Sequence, residues 1–241
     1  MKVLLIAGHG AGDPGAVAGG LTEATETRLM ANALGTALQK RGVTVGYYPM
    51  DRNAYADCGK GVFRATGKPE SYDYVLELHF NAVKPDPGDG ATKGVECYVT
   101  TSEKGVGVED AMCEGLASLG LTNRRVKRKN FTVIQACKTA GVSSALLEIC
   151  FLDDADDRRI YTADKQRVAA AIADGLCRGF GIRVKEVDAL AENTPSPWAE
   201  ADCKWAVEQG LFKGDDKGDL RWQEPVTREQ MAVLLRRALE K

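Results

Sequence analysis

Short apolar runs, each followed by a helix-like pattern, do most to limit what this chain can fold into. Val3 to Ala7, Val43 to Tyr48, Asp73 to His79, Gly94 to Val99, Phe131 to Ile134 and Ser144 to Phe151 read as strands. Between them lie segments with helical spacing. One runs from Thr22 to Lys40, with Met30, Ala33, Leu34, Ala37 and Leu38 on one face. A second carries Val108, Met112, Leu116 and Leu119, and a third Val168, Ile172, Leu176 and Phe180. A strand that is apolar throughout must be covered on both faces, and strands alternating with helices supply that cover. The expected fold is α/β, a mainly parallel twisted sheet flanked by helices.

The alternation breaks in the last quarter of the 241 residues. Residues 184–197 turn polar and end in Thr194-Pro195-Ser196-Pro197, which reads as a linker. The expected organisation is a first domain over 1–183, a linker over 184–197 and a small helical unit over 198–241. In that unit Trp198 opens a helical stretch that Gly210 ends, and Gly214 to Gly218 form a tight loop. Thr227 and Gln230 form a capping box ahead of a helix with Met231, Leu234, Leu235 and Leu239 on one face. So short a unit has a marginal core and is expected to pack against something else, such as another copy.

Composition excludes several classes. A formal net charge of -2 gives no basic bias toward nucleic acid, so no nucleic-acid partner is expected. No apolar run is long enough to span a bilayer, and no membrane partner is expected. The apolar stretch after Lys2 is short and runs into a glycine-rich motif, unlike a signal peptide. The expectation is a protein made in the cytoplasm and acting elsewhere only after release. The seven cysteines are widely spaced with no CxxC pair, which suits free thiols used as small core residues.

The chain has two histidines, and each ends an apolar run: His9 after Val3 to Gly8, His79 after Tyr74 to Leu78. Strand ends are where α/β proteins build sites. After His9 comes Gly10-Ala11-Gly12-Asp13-Pro14-Gly15-Ala16, a turn sequence whose glycines let the backbone pass close to a ligand. Glu23 falls near the start of the first long helix, and Glu26 lies three residues on, close to the same face. Two imidazoles and one carboxylate make a three-ligand zinc site with an open position, where bound water has a pKa of about 7. Glu148 is the one carboxylate in the run Leu146 to Phe151. A charge on a buried strand is costly, and here it fits a general base that later protonates a leaving amine.

These motifs carry a resemblance. His9-x-Gly-x-x-Asp13-Pro14-Gly15-Ala16, Glu23, Leu78-His79-Phe80-Asn81-Ala82 and Leu146-Leu147-Glu148-Ile149-Cys150-Phe151-Leu152 occur in the order seen in the zinc-dependent N-acetylmuramoyl-L-alanine amidases of the Amidase_3 type. The resemblance covers Met1 to about Arg183. It implies that His9, Glu23 and His79 bind Zn2+, that Glu23 is favoured over Glu26, and that Glu148 is catalytic. It also implies cleavage of the amide between N-acetylmuramic acid and L-alanine in peptidoglycan. Cys150 stands where the family often has glycine, and Gln135 where an arginine is common.

The C-terminal unit resembles a single S-layer homology repeat, through Trp198-Ala199, Ala206-Val207, Gly210 to Gly214 and Pro225 to Glu229. Such repeats bind anionic secondary polymers of the cell wall. One copy implies either weak anchoring or self-association into a homo-oligomer. The whole then reads as a phage or prophage endolysin. The alternatives are a bacterial autolysin, another zinc amidohydrolase or peptidase, and an inactive wall-binding protein. Three features are left over. The run Arg124 to Lys129 reads as a solvated loop or a lining of the substrate groove. Asp153, Asp154, Asp156 and Asp157 suit helix capping better than calcium. Trp198, Trp205 and Trp222 are divided between core packing and sugar stacking.

Overall fold

The computed structural model describes residues 1–83, 92–182, 195, 199–214, 218, 220, 222 and 228–239. The chain divides into two compact units, Met1–Val184 and Lys185–Lys241. The first holds a six-stranded sheet made of β1 (Lys2–Ala7), β4 (Thr44–Tyr47), β5 (Tyr74–Asn81), β6 (Val95–Val99), β7 (Asn123–Arg128) and β8 (Ser144–Phe151), in the order β4-β1-β5-β8-β6-β7. Strands β4, β1, β5 and β8 run parallel; β6 runs against β8, and β7 runs parallel to β6. The sheet is thus mainly parallel, with two reversed strands at one edge. A hairpin, β2 (Val17–Ala18) and β3 (Leu21–Thr22), stands apart from it.

Alternation along each strand sets up two cores. On β1, Val3, Leu5 and Ala7 enter the larger one, beneath α1 (Glu23–Lys40), α4 (Gly107–Ala117) and α7 (Lys165–Gly179). Helix α1 holds Met30, Ala31, Leu34 and Leu38 fully buried there, as its helical spacing dictates. Each such aliphatic side chain contributes about 1.5–3 kcal/mol of burial. Leu4, Ile6 and Val75 enter the smaller core on the opposite face, with Tyr48 and Val142. That core is covered by α2 (Ala54–Gly59), α3 (Phe63–Gly67) and α5 (Thr132–Thr139). On this second face β5 also presents Glu77 and His79, β8 presents Glu148, and β6 presents Glu96. All seven cysteines are free thiols, and Cys97, Cys113, Cys137, Cys150 and Cys177 are buried.

Two local expectations fail. Phe131 to Ile134 is not a strand: Thr132–Thr139 forms α5, which buries Val133, Ile134 and Cys137. A short apolar run is ambiguous between the two states, and here burial at i, i+1 and i+4 selects the helix. The basic run is not a loop, because Asn123–Arg128 forms edge strand β7. Lysine and arginine on an edge strand discourage pairing with other chains. The aspartate cluster does cap a helix: Asp154 accepts a hydrogen bond from the Asp157 N–H at 2.9 Å at the start of α6 (Ala155–Ala163).

In the second unit the described residues form α8 (Glu200–Glu208) and α9 (Arg228–Leu239). Gly210, at φ 64, ends the first of these, and the Leu211 N–H bonds the Ala206 carbonyl. Phe212 and Trp222 pack with ring centroids 5.1 Å apart and planes tilted by 40°, whereas Trp205 is exposed. Most of the expected linker, Trp198, the middle of the Gly214 to Gly218 loop and the Thr227 cap lie outside the described residues.

Candidate metal centre and active site

The site forms at the C-terminal ends of β1 and β5 and at the start of α1. Gly8 follows β1 and donates its N–H to the Leu78 carbonyl at 2.9 Å, which brings the loop beside β5. A Cβ on Gly8 would lie 2.4 Å from the His79 ring, so only glycine admits that imidazole. His9 then takes φ 61, a left-handed conformation costing about 1–2 kcal/mol in a non-glycine residue. Arg28 holds it there: its guanidinium donates to the carbonyls of Gly8 (2.8 Å), His9 (2.9 Å), Ala24 (3.0 Å), Met50 (2.9 Å) and Arg52 (3.0 Å).

The β2–β3 hairpin turns at Gly19 and Gly20, both at positive φ, and delivers Glu23 as the first residue of α1. Glu23 Oε2 accepts the Ala16 N–H at 2.8 Å and Oε1 accepts the Phe80 N–H at 2.9 Å. The same oxygens face the two histidines, with His9 Nε2 at 3.1 Å and His79 Nδ1 at 3.0 Å. Gly15 leaves space for this, since a Cβ there would lie 2.6 Å from Glu23 Oε2. One donor atom each from His9, Glu23 and His79 falls within 4.8 Å of the others, so the three can hold a metal ion. Glu26 turns away and accepts the Tyr161 hydroxyl at 2.6 Å and the Lys165 ammonium at 2.5 Å.

Electrostatics follow from this packing. Burial opposes the Glu23 charge, but the hydrogen bonds from His79 and His9 outweigh it and hold the carboxyl well below the usual range. The Glu23 hydrogen bond raises His9 above its ordinary value, with a further contribution from Asp13, whose Oδ2 stands 2.8 Å from His9 Nδ1. His79 also lies above its ordinary value: burial opposes its charge, and the Glu23 and Glu77 carboxylates overcome it.

Glu148 is the cross-strand partner of His79 on one side and of Glu96 on the other. One of its carboxylate oxygens is buried without a hydrogen-bond partner. Burial pushes Glu148 up to about 7; His79 works against the rise, and the carboxylates of Glu23, Glu96 and Glu77 add to it. Glu96 behaves oppositely. Burial resists its charge, but Lys127 and Arg124 pair with it and lower its pKa. Asn81 at 2.9 Å and the Tyr98 hydroxyl at 2.7 Å also donate to it. Two facing carboxylates are thereby separated into one held ionised and one able to exchange a proton near neutrality.

Sequence reasoning singled out His9, Glu23, His79 and Glu148, and the structure brings all four to one end of one sheet face. It passed over Glu77, Glu96 and Arg28. The first two carried the signal that marked Glu148, a lone carboxylate in an apolar strand.

A three-donor cluster that could hold a metal ion thus stands beside a raised carboxylate on an α/β scaffold, the kind of arrangement a hydrolase uses. The family model described as N-acetylmuramoyl-L-alanine amidase matches residues 3–178. This chain belongs to that family. The S-layer homology domain model matches residues 191–232. Among solved structures, the chain resembles the catalytic domain of CwlV, an N-acetylmuramoyl-L-alanine amidase from Bacillus (Paenibacillus) polymyxa var. colistinus. That match has 27% identity and a TM-score of 0.61, covering 76% of this chain and 99% of that one. The fold is also shared with the catalytic domain of the CD27L endolysin targeting Clostridia difficile, at 22% identity and TM-score 0.60, covering 74% and 97%. It is shared too with the amidase AmiC2 of Nostoc punctiforme, at 21% and 0.61, covering 75% and 97%. No match was found among the curated proteins.

Proposed function

We propose that this chain is a zinc-dependent peptidoglycan hydrolase that cleaves the amide joining N-acetylmuramic acid to the L-alanine of the stem peptide. The observation that carries this reading is the meeting of a His/Glu/His donor set and a buried, raised carboxylate at one end of one sheet face. Family membership supports the choice of bond. His9, Glu23 and His79 suit zinc in donor chemistry, and each imidazole has a carboxylate near its second nitrogen. A zinc ion held by His9, Glu23 and His79 would supply Lewis acidity toward the lactyl carbonyl and toward a water molecule. Glu148 would take a proton from the attacking water as that water's oxygen joins the carbonyl carbon. It returns the proton to the alanine nitrogen as the C–N bond breaks. Burial, which raises the Glu148 carboxyl, makes it a better proton carrier than an exposed carboxylate.

The proposal divides the chain into catalytic residues 1–183, a linker over 184–197 and a wall-directed unit over 198–241. The S-layer homology match supports retention of that last unit on an anionic wall polymer. Likeness to an endolysin catalytic domain supports a lytic enzyme of phage or prophage type. Digestion of purified peptidoglycan should release new L-alanine amino groups; reducing sugar or free D-alanine in their place would refute the assignment. Glu148→Gln should lose lysis and keep zinc, and His79→Ala should lose both. Produced in a bacterial cytoplasm, the chain should leave cells intact until a membrane pore is co-expressed. Lysis without the pore would remove the endolysin assignment alone.

A further inference from the structure

We propose that Glu77 is a positioning residue of the metal centre, facing the Nε2–H of His79 as its acceptor so that Nδ1 becomes the metal donor. The inference rests on the zinc reading above. Glu77 lies two residues before His79 on β5, so both side chains leave the same sheet face. It is 3% exposed, and its strand neighbour on β8 is Leu146. Among the described residues no lysine or arginine pairs with it. A carboxylate this buried costs several kcal/mol unless it is paired. The partner within reach is His79, whose Nε2 stands 3.2 Å from Glu77 Oε1. The two groups are in contact but off the hydrogen-bond axis, and both His79 Nε2 and Glu77 Oε2 are buried without a hydrogen bond.

The other ring nitrogen settles the direction. Nδ1 faces Glu23 Oε1 at 3.0 Å, inside the donor cluster, so Nε2 is the rear of the ring. A metal-bound imidazole keeps its second N–H, and a carboxylate that accepts it fixes the tautomer, orients the ring and strengthens the donor. His9 shows the same arrangement in mirror sense. Its Nε2 faces Glu23, and its Nδ1 faces the Asp13 carboxylate at 2.8 Å. The two supports differ in setting, since Asp13 is 47% exposed at its side chain and Glu77 only 5%. Coulomb coupling is stronger away from water, so Glu77 acts on its histidine more than Asp13 acts on His9. Glu77 and Glu23 together also balance the charge of a dication.

The test uses the full chain and zinc alone, with affinity read by competition against a chromophoric chelator. Glu77→Gln should weaken zinc binding by about 10–100-fold, and Asp13→Asn by less. Having two histidines in the chain makes a second readout direct: nitrogen NMR of the zinc-loaded wild type should show His79 metallated at Nδ1 and protonated at Nε2. That readout decides the question if Glu77→Gln does not fold. Zinc affinity in Glu77→Gln within about threefold of wild type would overturn the proposal, as would zinc on Nε2 of His79. A wild-type protein that binds no zinc would overturn both this proposal and the metal reading. Wild-type binding with an indifferent Glu77→Gln would overturn this one alone.

Discussion

Glu148 should cost the protein stability, and the cost should depend on pH. Burial raises its carboxyl from 4.5 to about 7. Each unit is worth about 1.4 kcal/mol, so the ionised form destabilises the metal-stripped fold by about 3 kcal/mol. Between the unfolded and folded pKa values the native state binds more protons than the unfolded chain. Stability therefore falls as pH rises from about 4.5 to about 7, and the loss is complete above that window. Glutamine keeps the shape and cannot ionise. Its own amide cost is independent of pH, so the difference between Glu148→Gln and wild type isolates the titration. In chelator-stripped protein that difference should be constant below pH ~4 and grow by about 3 kcal/mol by pH ~8, or roughly 6–12 °C in Tm. Urea melts of both proteins across this range measure it. A difference that stays flat with pH would refute burial as the source of the raised pKa.

Three further outcomes follow from the same geometry. Gly15→Ala places a methyl group 2.6 Å from Glu23 Oε2 at φ 64, and should lower zinc affinity by about tenfold or more, read by chelator competition. Arg28→Met strips donors from five carbonyls and should destabilise the fold by about 3 kcal/mol in denaturant melts; a loss under about 1 kcal/mol would contradict its role in holding His9. Glu26→Gln weakens contacts with Tyr161 and Lys165 and should cost about 1–3 kcal/mol with zinc affinity unchanged, whereas a drop in affinity would return Glu26 to the ligand set.

The apolar strands and long helices were legible because burial on both faces leaves a composition with few alternatives. Ser144–Phe151 is a strand over the range its sequence suggests, and Glu23–Lys40 a helix. What escaped has no such imprint. β7 is an edge strand with a single apolar residue, Val126, so no apolar alternation marks Asn123–Arg128, and Arg125 at φ 69 interrupts it further. The hairpin that aims Glu23 has two-residue strands, and its sign was the Gly19-Gly20 pair. Helix α2 is short and rests on one cap, Asn53, whose side chain accepts the Ala56 N–H. For the site, residue type and strand-end position singled out His9 and His79, and the family resemblance favoured Glu23 over Glu26. Of their supports, Glu77 was within reach of the sequence, two residues before His79 on one strand, whereas Arg28 against His9 depends on a three-dimensional proximity that spacing along the chain does not encode.

The order of the sheet also bears on how the protein is made. β8 lies between β5 and β6, yet it is the last of these strands along the chain. Until a ribosome has delivered it, the growing polypeptide has the strands of two half-sheets, and it carries His9, Glu23 and His79 without Glu148. Glu148 arrives with the strand that closes the gap. An unfinished copy therefore lacks both a completed sheet and Glu148, which the proposed chemistry needs.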